Sequence, residues 1–173
     1  MTASPRIVVL GLGYVGLPLA VALARSFETI GLDIDRRRIA ELKVGEDRTR
    51  EVEPEVLAAS TLRLTADPEY ARGADIYIVT VPTPVDAARR PDLGAVMAAS
   101  RTVGMLIDPA LRPTVVFEST VYPGVTEEQC GAEIERAGGI VRGRDFRLGY
   151  SPERINPGDR EHSVDSKTWT PEK

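Results

Sequence analysis

The chain has 173 residues, 42% of them hydrophobic, which by length makes one domain able to bury about 70% of its unfolded surface. Its 26 acidic residues outnumber 22 basic ones for a net charge of −4, and no basic stretch alternates with aromatic side chains, so a nucleic-acid partner is excluded. One cysteine and one histidine leave neither an intramolecular disulfide nor a zinc cluster, and the lack of both a signal-peptide pattern and an apolar run of about twenty residues predicts a cytoplasmic chain with no membrane partner.

In chain order, Ile7-Val8-Val9-Leu10 reads as a buried strand running into Gly11-Leu12-Gly13-Tyr14-Val15-Gly16. Gly11 allows a tight turn, Gly13 lets the backbone approach a pyrophosphate, and Gly16 lets the next helix pack close to the strand. The start of that helix offers unpaired N–H groups and the positive end of its dipole to an anion, so no basic side chain is required there. Pro18 falls near its first turn, where a missing N–H matters little. A second apolar run, Thr29-Ile30-Gly31-Leu32, ends on Asp33, whose carboxylate can accept hydrogen bonds from both hydroxyls of an adenine ribose. Strand, G-x-G-x-x-G turn, helix and an acid about twenty residues on form the dinucleotide fingerprint, and the predicted cofactor is NAD. A 2′-phosphate would meet the Asp33 charge, which favours NAD over NADP, although an arginine near such an acid can rescue a phosphate. Arg36, Arg37 and Arg38, opening the next helix, are read as a solvated face.

Helices are predicted over 35–44 and 53–60, a short third strand over 62–65, a helical turn over 68–72 and a continuous apolar fourth strand over 76–81, buried in the sheet centre. Asp92 caps a long helix with Leu93, Val96, Met97, Val103 and Ile107 on or near one stripe. A fifth strand follows over 114–117. Thr126-Glu127-Glu128-Gln129 then reads as a capping box opening a helix over 126–137 that Gly138-Gly139 ends, before a sixth strand over 146–150. Two three-strand halves make an α/β single domain, a doubly wound parallel sheet of Rossmann type in the order 3-2-1-4-5-6. Cys130 shares a face with Ile134 and Ala137 and is read as a core thiol; His162 is read as a solvated side chain. Gly11, Asp33, Pro82-Thr83-Pro84, Glu118-Ser119-Thr120 and Ser151-Pro152-Glu153 each follow a strand, so one composite site is expected outside the carboxyl ends of the sheet.

Residues 8–162 resemble the N-terminal NAD-binding domain of the UDP-glucose/GDP-mannose dehydrogenases. The resemblance rests on Gly11-Leu12-Gly13-Tyr14-Val15-Gly16-Leu17-Pro18, Val81-Pro82-Thr83-Pro84, Glu118-Ser119-Thr120-Val121-Tyr122-Pro123-Gly124 and the stretch from Ser151-Pro152-Glu153-Arg154 to Asn156-Pro157-Gly158-Asp159. Gly45-Glu46-Asp47-Arg48-Thr49-Arg50-Glu51-Val52 and the 153–159 stretch look most like the branch that oxidises UDP-N-acetylhexosamines, the UDP-N-acetylglucosamine/galactosamine 6-dehydrogenases of polysaccharide synthesis. What the resemblance implies is a UDP-sugar substrate whose C6 alcohol becomes an acid in two hydride transfers to two NAD, through a cysteine thioester. It places Thr120 and Glu153 at the reaction centre, Thr120 positioning a water or substrate oxygen and Glu153 handling protons during hydrolysis. Cofactor contacts are expected at Gly11, Gly13, Tyr14, Val15, Gly16, Asp33, Arg38, Thr83, Ser119 and Thr120.

Full members continue into a central helix, through which they pair as homo-oligomers, and a second domain with the nucleophilic cysteine; neither is matched here. Up to residue 164 there are 19 Arg and one Lys, whereas the last nine residues hold two Lys, no Arg and the only Trp. The expected division is therefore an NAD-binding domain over 1–164 and a divergent, disordered tail over 165–173, in a truncated chain inactive alone. The alternatives left open are a stand-alone NAD-binding or assembly module and, more weakly, another dehydrogenase of the hydroxyacid or hydroxyacyl type.

Overall fold

A computed structural model describes residues 4–84, 91–118 and 124–151. Strands and helices alternate as β1 (Arg6–Leu10), α1 (Gly16–Ala24), β2 (Glu28–Leu32), α2 (Arg36–Lys43), α3 (Pro54–Ala59), β3 (Arg63–Thr65), a 3-10 turn (Pro68–Ala71), β4 (Ile76–Val79), α4 (Gly94–Leu106), β5 (Thr114–Phe117), α5 (Gly131–Gly138) and β6 (Arg147–Tyr150). The six strands are parallel in the order β3-β2-β1-β4-β5-β6, the doubly wound arrangement expected from the sequence.

Successive strand residues point to opposite faces, and both faces are covered. Val8 and Leu10 join Ile30, Leu32, Tyr77, Val79 and Phe117 under α4 and α5, while Val9 joins Leu12, Leu17, Val21 and Ile39 under α1 and α2. Tyr77 is fully buried yet loses no hydrogen bond, because its hydroxyl lies 2.9 Å from the Ala71 carbonyl and accepts the Ala74 amide at 3.2 Å. Between α4 and α5 the backbones nearly touch: a Cβ on Gly104 would stand 2.5 Å from the Ile134 carbonyl oxygen.

The helices carry the expected signals with two corrections. Asp35 accepts the Arg37 amide at 2.9 Å to cap α2, whereas the N-cap of α4 is Leu93, without a side-chain cap, and the expected cap Asp92 accepts the Gly94 amide at 2.8 Å from one residue outside it. The continuous helix expected over 126–137 is instead two pieces. Val125–Cys130 wind as a wider π turn after Gly124 at φ 93°, with the Gly131 amide reaching back to the Thr126 carbonyl, and the helical start falls at Gly124 instead of Thr126. The wider turn carries Val125, Thr126 and Cys130 inward together, so Thr126 is buried rather than set at a solvated helix start. Gly139 at φ 63° ends α5 as expected.

Candidate functional site

The parallel register brings the carboxyl ends of neighbouring strands together. Leu10 pairs with Leu32 on one side and Val79 on the other; the Gly11 amide then donates to the Leu32 carbonyl, and the Thr80 amide to the Leu10 carbonyl, each at 2.9 Å. Gly11 sits at φ 91°, in the left-handed region. At Gly16 the constraint is contact: a Cβ would lie 1.8 Å from the Gly11 carbonyl oxygen and 2.4 Å from Thr80 Oγ1. Thr80 locks this corner, its buried hydroxyl lying 2.9 Å from the Leu10 carbonyl oxygen and 2.7 Å from that of Gly11. Sequence reading missed Thr80; its signal is a single hydroxyl between Val79 and Val81 at the end of an apolar run.

The first bond of α1 runs from the Leu17 amide to the Gly13 carbonyl at 3.2 Å, so the amides of Tyr14, Val15 and Gly16 precede it and lack an intrahelical acceptor. Nothing lies within 4 Å of a Cβ built on Gly13. An anion can therefore approach the turn there without meeting a side chain. Val15 faces the core and Tyr14 is exposed.

Asp33, half-buried at the end of β2, accepts the Leu12 amide at 2.8 Å and the Asp35 amide at 2.9 Å. From the other side, Arg38 Nε donates to the Leu12 carbonyl at 2.9 Å. The two peptide groups that flank the Leu12 Cα are thus each held by one of the two residues singled out beside the turn. The solvated face expected of Arg36, Arg37 and Arg38 holds for the first two, which are exposed, and fails for Arg38, which is 4% exposed. Helical phase turns Arg38 toward the glycine turn, and its charge is matched there by Asp47, whose Oδ1 accepts Nη2 at 2.7 Å. Burial pushes the Asp47 carboxyl up, but donors from Thr49, Arg38 and the Val52 amide outweigh it and hold the group below its ordinary value. Arg38 Nη1 is buried without a hydrogen-bond partner. Sequence reading did not assign Asp47 a role, nor single out Ile34, which is 83% exposed next to Asp33.

Thr83 is half-buried four residues beyond β4, on the same edge as Gly11 and Asp33. Ser119, Thr120, Glu153 and His162 lie outside the described residues, as does the tail over 165–173. The grouping expected of Asp33, Thr83 and Glu153 is therefore described for its first two members alone. Cys130 is fully buried, and burial pushes its thiol up, in keeping with a core residue. Among the described residues no helix is long and apolar enough to cross a membrane, and no cluster of three His, Cys, Asp or Glu could hold a metal ion.

A glycine turn open at Gly13, a helix N-terminus behind it and a carboxylate at the end of the next strand are the parts that a dinucleotide cofactor requires, so the fold and its edge define a nucleotide-cofactor-binding domain of the doubly wound class. Comparison with known proteins narrows this. The chain belongs to the UDP-glucose/GDP-mannose dehydrogenase family, whose NAD binding domain matches residues 5–167. It is 49% identical to protein CapL of Staphylococcus aureus, over 94% of this chain and 38% of that one, and 46% identical to the UDP-N-acetyl-D-glucosamine 6-dehydrogenase of Salmonella typhi, over 92% and 37%. The solved UDP-D-ManNAc dehydrogenase of Pyrococcus horikoshii superposes with a TM-score of 0.79 at 35% identity, covering 88% of this chain and 37% of that one. The chain thus spans a little over a third of the length of these relatives. NAD is the cofactor of the matched domain, and the open cradle at Gly13 together with the buried, unpartnered Arg38 Nη1 fits such a group.

Proposed function

We propose that the chain is the NAD-binding half of a nucleotide-sugar 6-dehydrogenase acting on a UDP-N-acetylhexosamine, oxidising the C6 alcohol to the uronic acid. The observation that carries this reading is the Leu12 backbone, its N–H held by Asp33 and its carbonyl by Arg38, at the mouth of an open glycine turn, in a chain 46% identical to a UDP-N-acetyl-D-glucosamine 6-dehydrogenase. Bound NAD supplies the hydride acceptor. The residues of the chain bind and orient it: the amides of Gly13, Tyr14, Val15 and Gly16 attract the pyrophosphate, and Asp33 accepts the ribose hydroxyls with the lone pairs its two amide donors leave free. Gly11 supplies the turn, Arg38 holds it, and Thr83, Ser119 and Thr120 complete the contacts. Thr120 positions a water or substrate oxygen, and Glu153 carries protons during hydrolysis.

In our reading residues 1–164 form this domain and 165–173 a tail; the family match over 5–167 supports the domain and runs three residues beyond that boundary. The chain works in the cytoplasm, with a UDP-sugar as its small-molecule partner and a homo-oligomer as the full-length form. Within these 173 residues no thiolate can carry a thioester, since the one cysteine is buried in the core. The test is calorimetric titration with NAD followed by incubation with NAD and UDP-N-acetylglucosamine or UDP-N-acetylgalactosamine. Heat with NAD and a flat absorbance at 340 nm are expected. No heat would remove the cofactor reading, and sustained NADH formation would show that this half carries the chemistry by itself.

A further inference from the structure

Arg38 lies beside the acid that meets the adenine ribose, where an arginine ordinarily serves to hold a 2′-phosphate. Its surroundings here commit most of its donors elsewhere. Nε is committed to the Leu12 carbonyl and Nη2 to Asp47, leaving Nη1 alone without a partner, and the side chain is 5% exposed. Asp47 is buried more completely still, at 2%. It is also held from many directions, accepting the amide of Thr49 at 3.0 Å, its hydroxyl at 2.6 Å, and the amides of Glu51 and Val52 at 2.9 and 3.0 Å. A carboxylate fixed by four loop donors cannot swing away when a competing anion arrives. Outside this pair, Arg48 closes the loop on α2, its Nε donating to Glu41 at 2.6 Å and its Nη2 to Asp35 at 3.1 Å.

We propose that Asp47 is a specificity-determining residue for the cofactor: by neutralising Arg38 in a buried, loop-locked pair it withholds that charge from a 2′-phosphate, so that the Asp33 carboxylate alone decides and NAD is chosen over NADP. The inference rests on the cofactor reading above and adds to it a position outside the glycine fingerprint. Asp47 acts through Arg38 and touches no part of the dinucleotide.

The experiment is a pair of calorimetric titrations, NAD and NADP, on the wild-type chain, on Asp47→Asn and on the double variant Arg38→Gln/Asp47→Asn. Asparagine keeps an oxygen for the loop amides and removes the charge. Asp47→Asn is expected to raise NADP affinity relative to NAD by about tenfold, the worth of one charge-assisted hydrogen bond. The double variant is expected to return that ratio to the wild-type value, because the released charge is Arg38 itself. A ratio that stays at the wild-type value in Asp47→Asn, both affinities falling together, means a purely structural role and overturns the proposal. So does a raised ratio that persists in the double variant. Should Asp47→Asn lack a cooperative thermal transition, Asp47→Ser, whose hydroxyl still accepts from the loop, is read by the same criteria. A wild-type chain that binds neither dinucleotide overturns the cofactor reading and this inference together, whereas one that binds NAD with an unmoved variant ratio overturns this inference alone.

Discussion

Gly13 and Gly16 stand three residues apart and do opposite jobs. The Cβ of an alanine at 16 would press on the Gly11 carbonyl and on Thr80 Oγ1, backbone and a locked hydroxyl that cannot retreat without opening the corner between β1 and β4. At 13 the same methyl would meet nothing, and Gly13 is not among the residues with positive φ. Gly16→Ala is therefore expected to cost at least about 1–3 kcal/mol of stability by overpacking, whereas Gly13→Ala is expected to melt within about 1 kcal/mol of wild type. Binding should separate the two in another way: Gly13→Ala, folded as before, is expected to lose NAD affinity because its methyl occupies the path of the pyrophosphate. Thermal melts and NAD titrations on both variants check this, and a Gly13→Ala protein with full NAD affinity would remove that residue from the site. Thr80 belongs to the same corner, and only its neighbours in space explain it.

Among the elements, α4 and α5 form the most closely joined pair, and one carboxylate ties them. Glu133 on α5 accepts Arg136 Nη2 at 2.6 Å from its own helix and Arg101 Nε at 2.8 Å from α4. The Arg136 guanidinium first, with Arg101 adding to it, pulls the Glu133 carboxyl down to about 2 from an ordinary 4.5. A carboxyl lower in the folded than in the unfolded chain stabilises the fold above its unfolded value and loses that contribution as pH falls through its folded value. Melting temperature is thus expected to fall between about pH 4.5 and pH 2, and Glu133→Gln to flatten that slope while leaving a lower plateau near neutrality, as read from melts across the range. The π turn before α5 has its own consequence. It buries Cys130 completely, so alkylation by iodoacetamide is expected to proceed at the rate of local unfolding, rising sharply with denaturant; fast modification of the native chain would contradict the burial.

Across the whole molecule, the doubly wound sheet delivers all six carboxyl strand ends to one edge and their amino ends to the opposite one. At that opposite edge Arg6 spans the 3-10 turn, donating to the carbonyls of Tyr70 and Arg72, while the Arg6 amide donates to Asp75. These contacts tie β1 to the 3-10 turn at the end of the sheet away from the glycine turn. Asp145, bridged by Arg144 and held down to about 2, adds to the acid sensitivity expected from Glu133, so the chain as a whole is expected to lose stability below about pH 4.5 rather than at a single helix pair. At this scale too belongs the expectation that the chain binds NAD without producing NADH, since binding needs one edge of one sheet, whereas the turnover proposed above passes through a thiolate and Cys130 is buried.

Strand order, the glycine turn and the acid at Asp33 were legible in the sequence because each is written in consecutive residues: apolar runs alternate with helical periods, and right-handed crossovers leave few ways to order six parallel strands. Local reading failed where the partner was distant. Arg38 looked solvated beside Arg36 and Arg37, yet it is buried because Leu12, 26 positions back, and Asp47, nine positions on, meet it in space. The capping box at Thr126 was a sound local pattern, overridden when packing against α4 drew Thr126 and Cys130 inward together through a π turn. Sequence by itself determined the class of fold and the kind of cofactor, since both follow from short-range rules of spacing and sterics. Only tertiary structure decided which charges are buried, which are neutralised and which are left to face a ligand, because burial and ion pairing depend on residues that the chain brings together after it has folded.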